Sequence, residues 1–176
     1  MNMLHWCMAT LGTLVTSTTY GTWLRGDQRG WVDQGILWPE DPLLELADYQ
    51  RLKHEPFRFA KDQLFLVGEM ICSQLWQRMQ IRLLALTVRT WHIHVVLPAT
   101  TINIAKLMKC VKESVRFGLK IARPIWTDGY DQRFCFDWER LHDRVYYVEQ
   151  HNIRAGWPAQ PWPKLMPWEE YVQQST

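Results

Sequence analysis

Motifs that usually mark nucleotide binding or hydrolysis by a nucleophile elbow are missing from this sequence. It contains no G-x-x-x-x-G-K-[ST] phosphate loop, no G-x-G-x-x-G dinucleotide loop and no G-x-S-x-G nucleophile turn. ATP-driven reactions, Rossmann cofactors and hydrolysis by a nucleophile elbow therefore lack their usual sequence support. We expect no nucleotide cofactor.

Long apolar runs and paired cysteines are also lacking. No uninterrupted apolar run approaches the roughly 18 residues that suggest a membrane span, so none is expected. The stretch 1–10 lacks a basic start and is not expected to be a secretory signal. Cys7, Cys72, Cys110 and Cys135 are scattered without a C-x-x-C pair, which favours free thiols and a cytoplasmic location.

Neither positive nor negative charge is in large excess. The formal net charge is only +2, which neither demands nor excludes a nucleic-acid partner. The 176 residues are 47% hydrophobic and 22% charged, as expected for a globular domain. Tryptophan, with eleven residues, is abundant. We assign 1–157 to one domain with a Gly/Pro-rich loop insertion at 21–60, and 158–176 to a Trp/Pro-rich, mostly irregular tail.

Hydrophobic periodicity predicts an α+β fold. Threonine and apolar residues over 9–20 predict a first strand, and the insertion has room for a short helix over 42–53. The further predicted elements are a helix over 61–79, strands over 81–88 and 91–97, a helix over 101–121, a strand over 129–136 and a helix over 137–151. This order matches a ferredoxin-like split βαβ antiparallel sheet with two helices on one face.

Two histidines stand two residues apart on the third predicted strand. His92 and His94 therefore share one face of the strand and can converge on a divalent metal, while Trp91, Ile93 and Val95 are expected to pack on the other face. An isolated H-x-H is more often a pair of histidines on a half-buried sheet.

The last predicted helix adds a tyrosine and a third potential ligand. Asp143, Tyr147 and His151 follow one another at intervals of four and form a row beside its apolar face. Tyr146 and Gln150 have the same spacing, but they lie nearly opposite that face.

At this point the sequence resembles a known family. His92-Ile93-His94 has the form of the HUH motif, and the run 125–133 is similar to the family's strand before its catalytic helix. The run 147–156, Tyr-Val-Glu-Gln-His-Asn-Ile-Arg-Ala-Gly, is similar to the signature Tyr-Ile-x-x-Asn-Pro-Val-Arg-Ala-Gly. Over roughly 9–157 the chain resembles the HUH single-tyrosine transposases of the REP-associated type; the run 19–26 looks like one branch of them.

The resemblance implies an HUH endonuclease fold with a C-terminal catalytic helix. It implies that His92, His94 and His151 bind a divalent metal, Mn²⁺ or Mg²⁺, and that Tyr147 is the nucleophile that forms a 5′-phosphotyrosine and releases a 3′-hydroxyl. Two departures stand out: Trp91 replaces the usual Asn, and His151 with Asn152 replaces an Asn-Pro pair. With a third imidazole we expect Mn²⁺ to support activity better than Mg²⁺, and Zn²⁺ to inhibit.

Several basic side chains are candidates for binding DNA. A stripe on the helix over 101–121 comprises Lys106, Lys109, Lys112, Arg116 and Lys120. In the insertion, Arg25 and Arg29 with Trp23 and Trp31 have the chemistry to hold unpaired bases, and Arg133 lies in the run that resembles the family. The alternative for the basic stripe is an ordinary solvated helix face. The alternative for the tryptophans is that they pack the insertion onto the sheet.

The resemblance implies metal-dependent cleavage and strand transfer of single-stranded DNA at hairpin-forming, REP-like sites, by a transposase or a domesticated relative. One alternative is a module of the same fold that binds structured single-stranded DNA without cutting it. A metal-dependent nucleotide hydrolase is a second alternative, but it leaves Tyr147 without a role. The partner is single-stranded or hairpin DNA, and both a monomer and a homodimer remain open.

Overall fold

The computed structural model describes residues 10–33 and 35–175. Its strands and helices are β1 (Gly12–Thr18), β2 (Trp31–Asp33), β3 (Ile36–Trp38), α1 (Pro42–Gln50), α2 (Leu64–Met79), β4 (Ala85–Val88), β5 (His92–Pro98), α3 (Ile104–Gly118), β6 (Asp131–Cys135), α4 (Trp138–Arg154) and α5 (Trp168–Ser175). The start of the first predicted strand, at residue 9, and Cys7 lie outside the described residues. The order of helices and strands follows the sequence prediction except for β2, β3 and α5, which were not predicted.

Four strands form the main sheet in the order β4-β5-β1-β6, and every neighbouring pair is antiparallel. This order is that of a split βαβ sheet, because β5 lies between β1 and β4, which are joined by α2. The predicted α+β fold class is therefore confirmed.

Helices α2 and α3 cover one face of the sheet, as predicted. Leu64, Val67, Ile71 and Leu75 recur at helical spacing on α2, and all four are buried. They join Met108, Val111 and Val115 of α3 and the strand residues that point to this face in one core.

Helix α4 covers the opposite face of the sheet. The Asp137 carboxylate accepts a hydrogen bond from the Arg140 backbone N–H and caps the helix. Leu141, Val145 and Val148 are buried against Leu14, Val96 and their neighbours in a second core. The helix continues to Arg154, one turn beyond its predicted end.

The insertion at 21–60 is more ordered than its sequence indicated. It contains the hairpin of β2 and β3, which the lack of periodicity did not predict, and α1, which lies within the expected 42–53. Three-residue strands are too short for an alternating pattern to emerge. The Arg25 guanidinium binds the Asp48 carboxylate with two hydrogen bonds of 2.7 Å and so joins the loop before the hairpin to α1.

The tail differs from its prediction as a mostly irregular segment. Its last part is the helix α5, and Trp162, Leu165 and Tyr171 are buried in the two cores. The Trp162 indole lies so close to Gly68 that a Cβ built there would stand 2.1 Å from the ring. The tail is therefore part of the packed molecule.

Within residues 10–33 and 35–175, no helix combines the length and apolar character needed to cross a bilayer. Cys72, Cys110 and Cys135 are buried free thiols. Burial raises the pKa of the Cys72 thiol to about 12, which makes it unreactive near neutral pH.

Candidate metal and tyrosine site

Strand β5 places both histidines of the H-x-H on the face covered by α4. In the antiparallel register His92 is paired with Thr18, and His94 is paired with Thr16 on one side and Thr87 on the other. Residues paired in this way share one face of the sheet. Ile93, between the two histidines, is fully buried in the opposite core.

Helix α4 brings Tyr147 and His151 over the same part of the sheet. The two side chains are one turn apart, and their ring centroids are 4.7 Å apart. The Tyr147 ring is 42% exposed, whereas His151 is half-buried. Asp143, the third member of the predicted row, is exposed and does not line the cleft described below.

The three histidines converge. The ring centroid of His94 lies 4.7 Å from that of His92 and 5.1 Å from that of His151. One potential ligand nitrogen from each ring lies within 4.8 Å of the other two. The Tyr147 ring centroid is 5.5 Å from that of His94. Residues distant in sequence thus form one cluster within a single chain.

Burial keeps these imidazoles neutral. The loss of solvent, followed by the charge of His94 and His151, lowers the pKa of His92 to about 2. Burial and the charges of His151 and Arg133 lower the pKa of His94 to about 3. The pKa of His151 is also lowered, chiefly by burial. A neutral imidazole keeps the lone pair that a metal needs.

The hydrogen bonds of the cluster fit a bound cation. His94 Nδ1 is hydrogen-bonded to Thr16 Oγ1 at 2.8 Å, which leaves its other ring nitrogen available. His92 Nδ1 is buried and has no hydrogen-bond partner among the described residues. An unsatisfied buried nitrogen beside two neutral imidazoles is expected of a site built to hold a metal. The three residues therefore have the chemistry and the placement to bind a divalent ion.

The cluster opens into a cleft of about 820 Å³. Its walls come from β1, the insertion, β5, the loop before β6, β6 and α4. The charged residues that line it are Asp128, Asp131, Arg133 and Arg144. A phosphate beside the metal ligands would thus meet both guanidinium groups and carboxylates.

The basic residues predicted to bind DNA lie in different surroundings. Arg133 lines the cleft and pairs with Asp131. Arg29 stacks on the Trp91 ring at 4.3 Å and is hydrogen-bonded to the Asp27 carboxylate and the Thr22 carbonyl. Of the predicted tryptophans, Trp23 lines the cleft, while Trp31 stacks on Trp38.

Four residues of the basic stripe are on α3, in the helical layer on the far face of the sheet, whereas Lys120 lies beyond the helix, which ends at Gly118 rather than at the predicted residue 121. Lys106, Lys109 and Lys120 are exposed, and Arg116 is half-buried. Lys112 differs from the others because its Nζ donates hydrogen bonds of 2.7 and 2.6 Å to the Thr127 and Gly129 carbonyl oxygens. These two hydrogen bonds therefore connect α3 to a loop that lines the cleft.

Sequence reasoning misplaced one residue and missed others. Trp91 does not pack in the core as predicted; it lines the cleft, with its ring centroid 4.0 Å from that of His92. Arg144 was missed, although it precedes Tyr147 by three residues and helical spacing would have placed it on the same face. Thr16 was missed because only the pairing of β1 with β5 reveals its contact with His94.

Comparisons with known proteins support the fold. No protein-family model matches the sequence, and no curated protein matches it. A solved structure of a REP-associated tyrosine transposase bound to a REP hairpin is similar, with a TM-score of 0.52 and 12% identity over 89% of this chain and 76% of that chain. The likeness concerns the fold, and it agrees with the HUH type of α+β fold expected from the sequence.

Proposed function

We propose that this protein is a metal-dependent HUH-type nuclease and strand transferase that acts on single-stranded DNA. The observation that carries the proposal is the position of Tyr147, whose ring packs beside His94 and His151 in an open cleft. A nucleophile next to a metal site, in a cleft that also presents two arginines, suits attack on a phosphodiester. The fold likeness to a hairpin-bound tyrosine transposase supports DNA as the substrate.

In the proposed reaction Tyr147 Oη attacks the scissile phosphorus. A new P–O bond forms to the tyrosine, the bond to the departing 3′-oxygen breaks, and that oxygen takes up a proton to become a 3′-hydroxyl. The phenolic proton leaves to solvent, to which Tyr147 is exposed. Arg133 and Arg144 line the cleft and would stabilise the charged phosphate. A divalent ion held by His92, His94 and His151 would polarise the phosphate.

The reverse attack by a 3′-hydroxyl restores a phosphodiester and releases Tyr147. Because the covalent link conserves the bond energy, rejoining requires no ATP. His92, His94, His151 and Tyr147 all come from one chain in this structure. We therefore propose that each chain supplies its own tyrosine, and once the protein is in saturating excess over the DNA we expect the rate of adduct formation to be independent of protein concentration.

The test is the formation of a covalent adduct. The chain is incubated in Mn²⁺ with a labelled pool of single-stranded hairpins whose flanking sequences are randomised, and adducts are separated on a denaturing gel and sequenced. We expect an adduct with the wild type and with Tyr146→Phe, an exposed neighbour on α4. Tyr147→Phe should form none, because it lacks the attacking oxygen.

An adduct that persists in Tyr147→Phe would contradict the proposed nucleophile. Tight binding of hairpins without any adduct in the wild type would instead favour a non-cleaving binding module on the same fold. Recovered adducts would also define the cleaved sequence and the side of the break that carries the tyrosine.

A further inference from the structure

A second, smaller pocket lies next to the metal cleft. It has a volume of about 310 Å³ and lies between the start of α2 and the end of α4. Trp91 lines both cavities and so forms the partition between them. Lys61, Arg89 and Trp157 also line the smaller cavity, which we call the side pocket.

The cations of the side pocket are not neutralised by the protein. Within the described chain, the side chains of Lys61 and Arg89 make no ion pair or hydrogen bond, and none of the residues lining this pocket is a carboxylate. This contrasts with Arg25 and Arg29, which bind Asp48 and Asp27. Two unpaired cations in one recess attract an anion.

Arg89 connects the side pocket to the metal cluster. Its backbone N–H donates a hydrogen bond of 2.8 Å to the carbonyl oxygen of His92, so Arg89 directly adjoins a proposed metal ligand. An anion bound to Arg89 in the side pocket would therefore lie near a phosphate bound in the cleft.

The aromatic walls of the side pocket are held by the rest of the fold. The Trp157 ring is half-buried and rests edge-on against Trp162, with centroids 5.7 Å apart. The Trp91 ring is half-buried beneath the Arg29 guanidinium. A planar base can stack on such rings whatever its sequence. The volume lies at the small end of the range for ligand pockets, which suits one nucleotide.

We propose that the side pocket binds the unpaired nucleotide that adjoins the scissile phosphate. Its base would stack on Trp157 or Trp91, and its phosphate would contact Arg89 and Lys61. The inference rests on the proposed function, because the strand enters the side pocket from the metal cleft across Trp91. It gives Trp157, the last residue before the tail, a part in DNA binding.

Binding of two defined strands tests this assignment separately from cleavage. Fluorescence anisotropy with Mn²⁺ compares a labelled 15-mer of thymidine with an abasic strand of equal length, in the cleavage-deficient Tyr147→Phe chain. Trp157→Ala should weaken binding of the thymidine strand about tenfold and leave the abasic strand unaffected, because only a base can stack. Lys61→Ala and Arg89→Ala should each reduce the slope of log affinity against log salt by about 0.7 for both strands.

Matched controls come from the other end of α2. Trp76→Ala and Arg78→Ala remove an exposed tryptophan and an exposed arginine there, and neither should change the binding of either strand. Lys61 is exposed and outside the core, so its replacement keeps the test valid even if Trp157→Ala does not fold. Unchanged salt slopes in Lys61→Ala and Arg89→Ala would overturn the side-pocket assignment.

The two proposals fail in different ways. If the wild type forms adducts with the hairpin pool but the side-pocket variants bind both strands normally, the side pocket is wrong and the nuclease proposal stands. If the variants show the expected losses but no adduct ever forms, the side pocket stands as part of a binding module. Failure of both strands to bind the Tyr147→Phe chain overturns the side-pocket assignment, whereas the nuclease proposal is decided by the adduct with the hairpin pool.

Discussion

At the scale of single residues, His94 lies between two threonines of the neighbouring strands, and only one of them is hydrogen-bonded to its ring. Thr16 and Thr87 are paired with it from opposite sides in the sheet. Thr16 Oγ1 is hydrogen-bonded to His94 Nδ1, whereas Thr87 Oγ1 is buried without a partner among the described residues. The first hydroxyl therefore orients the ring and the second does not.

Thr16→Val should weaken metal binding. The loss of a hydrogen bond to a ligand imidazole typically lowers metal affinity about 10–100-fold, because the ring orientation is no longer held. Thr87→Val should leave affinity unchanged and stability equal or higher, since the hydroxyl it removes is unsatisfied. Calorimetric titration with Mn²⁺ measures affinity, and urea unfolding measures stability. An equal loss of affinity in both variants would contradict the orienting role of Thr16.

His151 is predicted to set the preference among metals. Imidazole nitrogen favours Mn²⁺ over Mg²⁺, which prefers oxygen ligands. His151→Asn should therefore lower the ratio of adduct-forming rates in Mn²⁺ and Mg²⁺, and it should reduce inhibition by Zn²⁺. His142→Asn, on the same helix but packed against Trp168 outside the cleft, is the control. A ratio that is the same in the wild type and in His151→Asn would refute this prediction.

At the scale of secondary-structure elements, the position of the loop before β6 depends on α3. Lys112 is half-buried, and burial lowers the pKa of its ammonium. Its two hydrogen bonds to carbonyl oxygens hold Thr127 and Gly129, which line the cleft. A residue in the predicted basic stripe thus supports the cleft from behind.

Lys112→Met should destabilise the fold by about 1–3 kcal/mol, because two carbonyl oxygens lose their donor. Lys109→Met is the matched control on the same helix. The Lys109 side chain is 74% exposed and its ammonium lies 3.9 Å from Glu113, so its replacement should stay within about 0.5 kcal/mol. Urea unfolding of the two variants compares the free energies of unfolding. Similar values for both would indicate that the loop is held by other contacts.

At the scale of the whole molecule, the tail joins the two cores. Trp162 packs with α2 on one face of the sheet, and its indole N–H donates to the Phe65 carbonyl at 2.9 Å. Tyr171 of α5 packs on the other face, and its hydroxyl donates to the Leu11 carbonyl. The boundary at residue 157 divides the chain by composition, but the packing continues across it.

Trp162→Ala should cost about 3–5 kcal/mol of stability, the range for deleting a large buried aromatic side chain. Trp76→Ala removes a tryptophan that is 40% exposed and should cost far less. Thermal and urea unfolding measure both variants. If the two substitutions proved equally mild, the tail would be an appendage to a domain that is stable without it.

Much of the main fold could be predicted from local sequence patterns. The buried positions of α2 and α4 and the alternation around His92 follow from periodicities that depend only on helix and strand geometry. The hairpin of β2 and β3 could not be predicted, because Val32, Ile36 and Leu37 are exposed and no buried face imposes a pattern. Trp91 was misplaced because the strand begins one residue later than predicted, so the alternation does not extend to it.

The amino-acid sequence alone determined the two histidines on one strand face, the tyrosine and histidine one turn apart on a helix, and the α+β order of elements. These are consequences of short-range geometry. Only the tertiary structure decided that the two pairs meet, that Thr16 holds His94, and that Trp91 separates two cavities. Such contacts arise from the pairing of distant strands and from the packing of α4 against the sheet, which no local periodicity encodes.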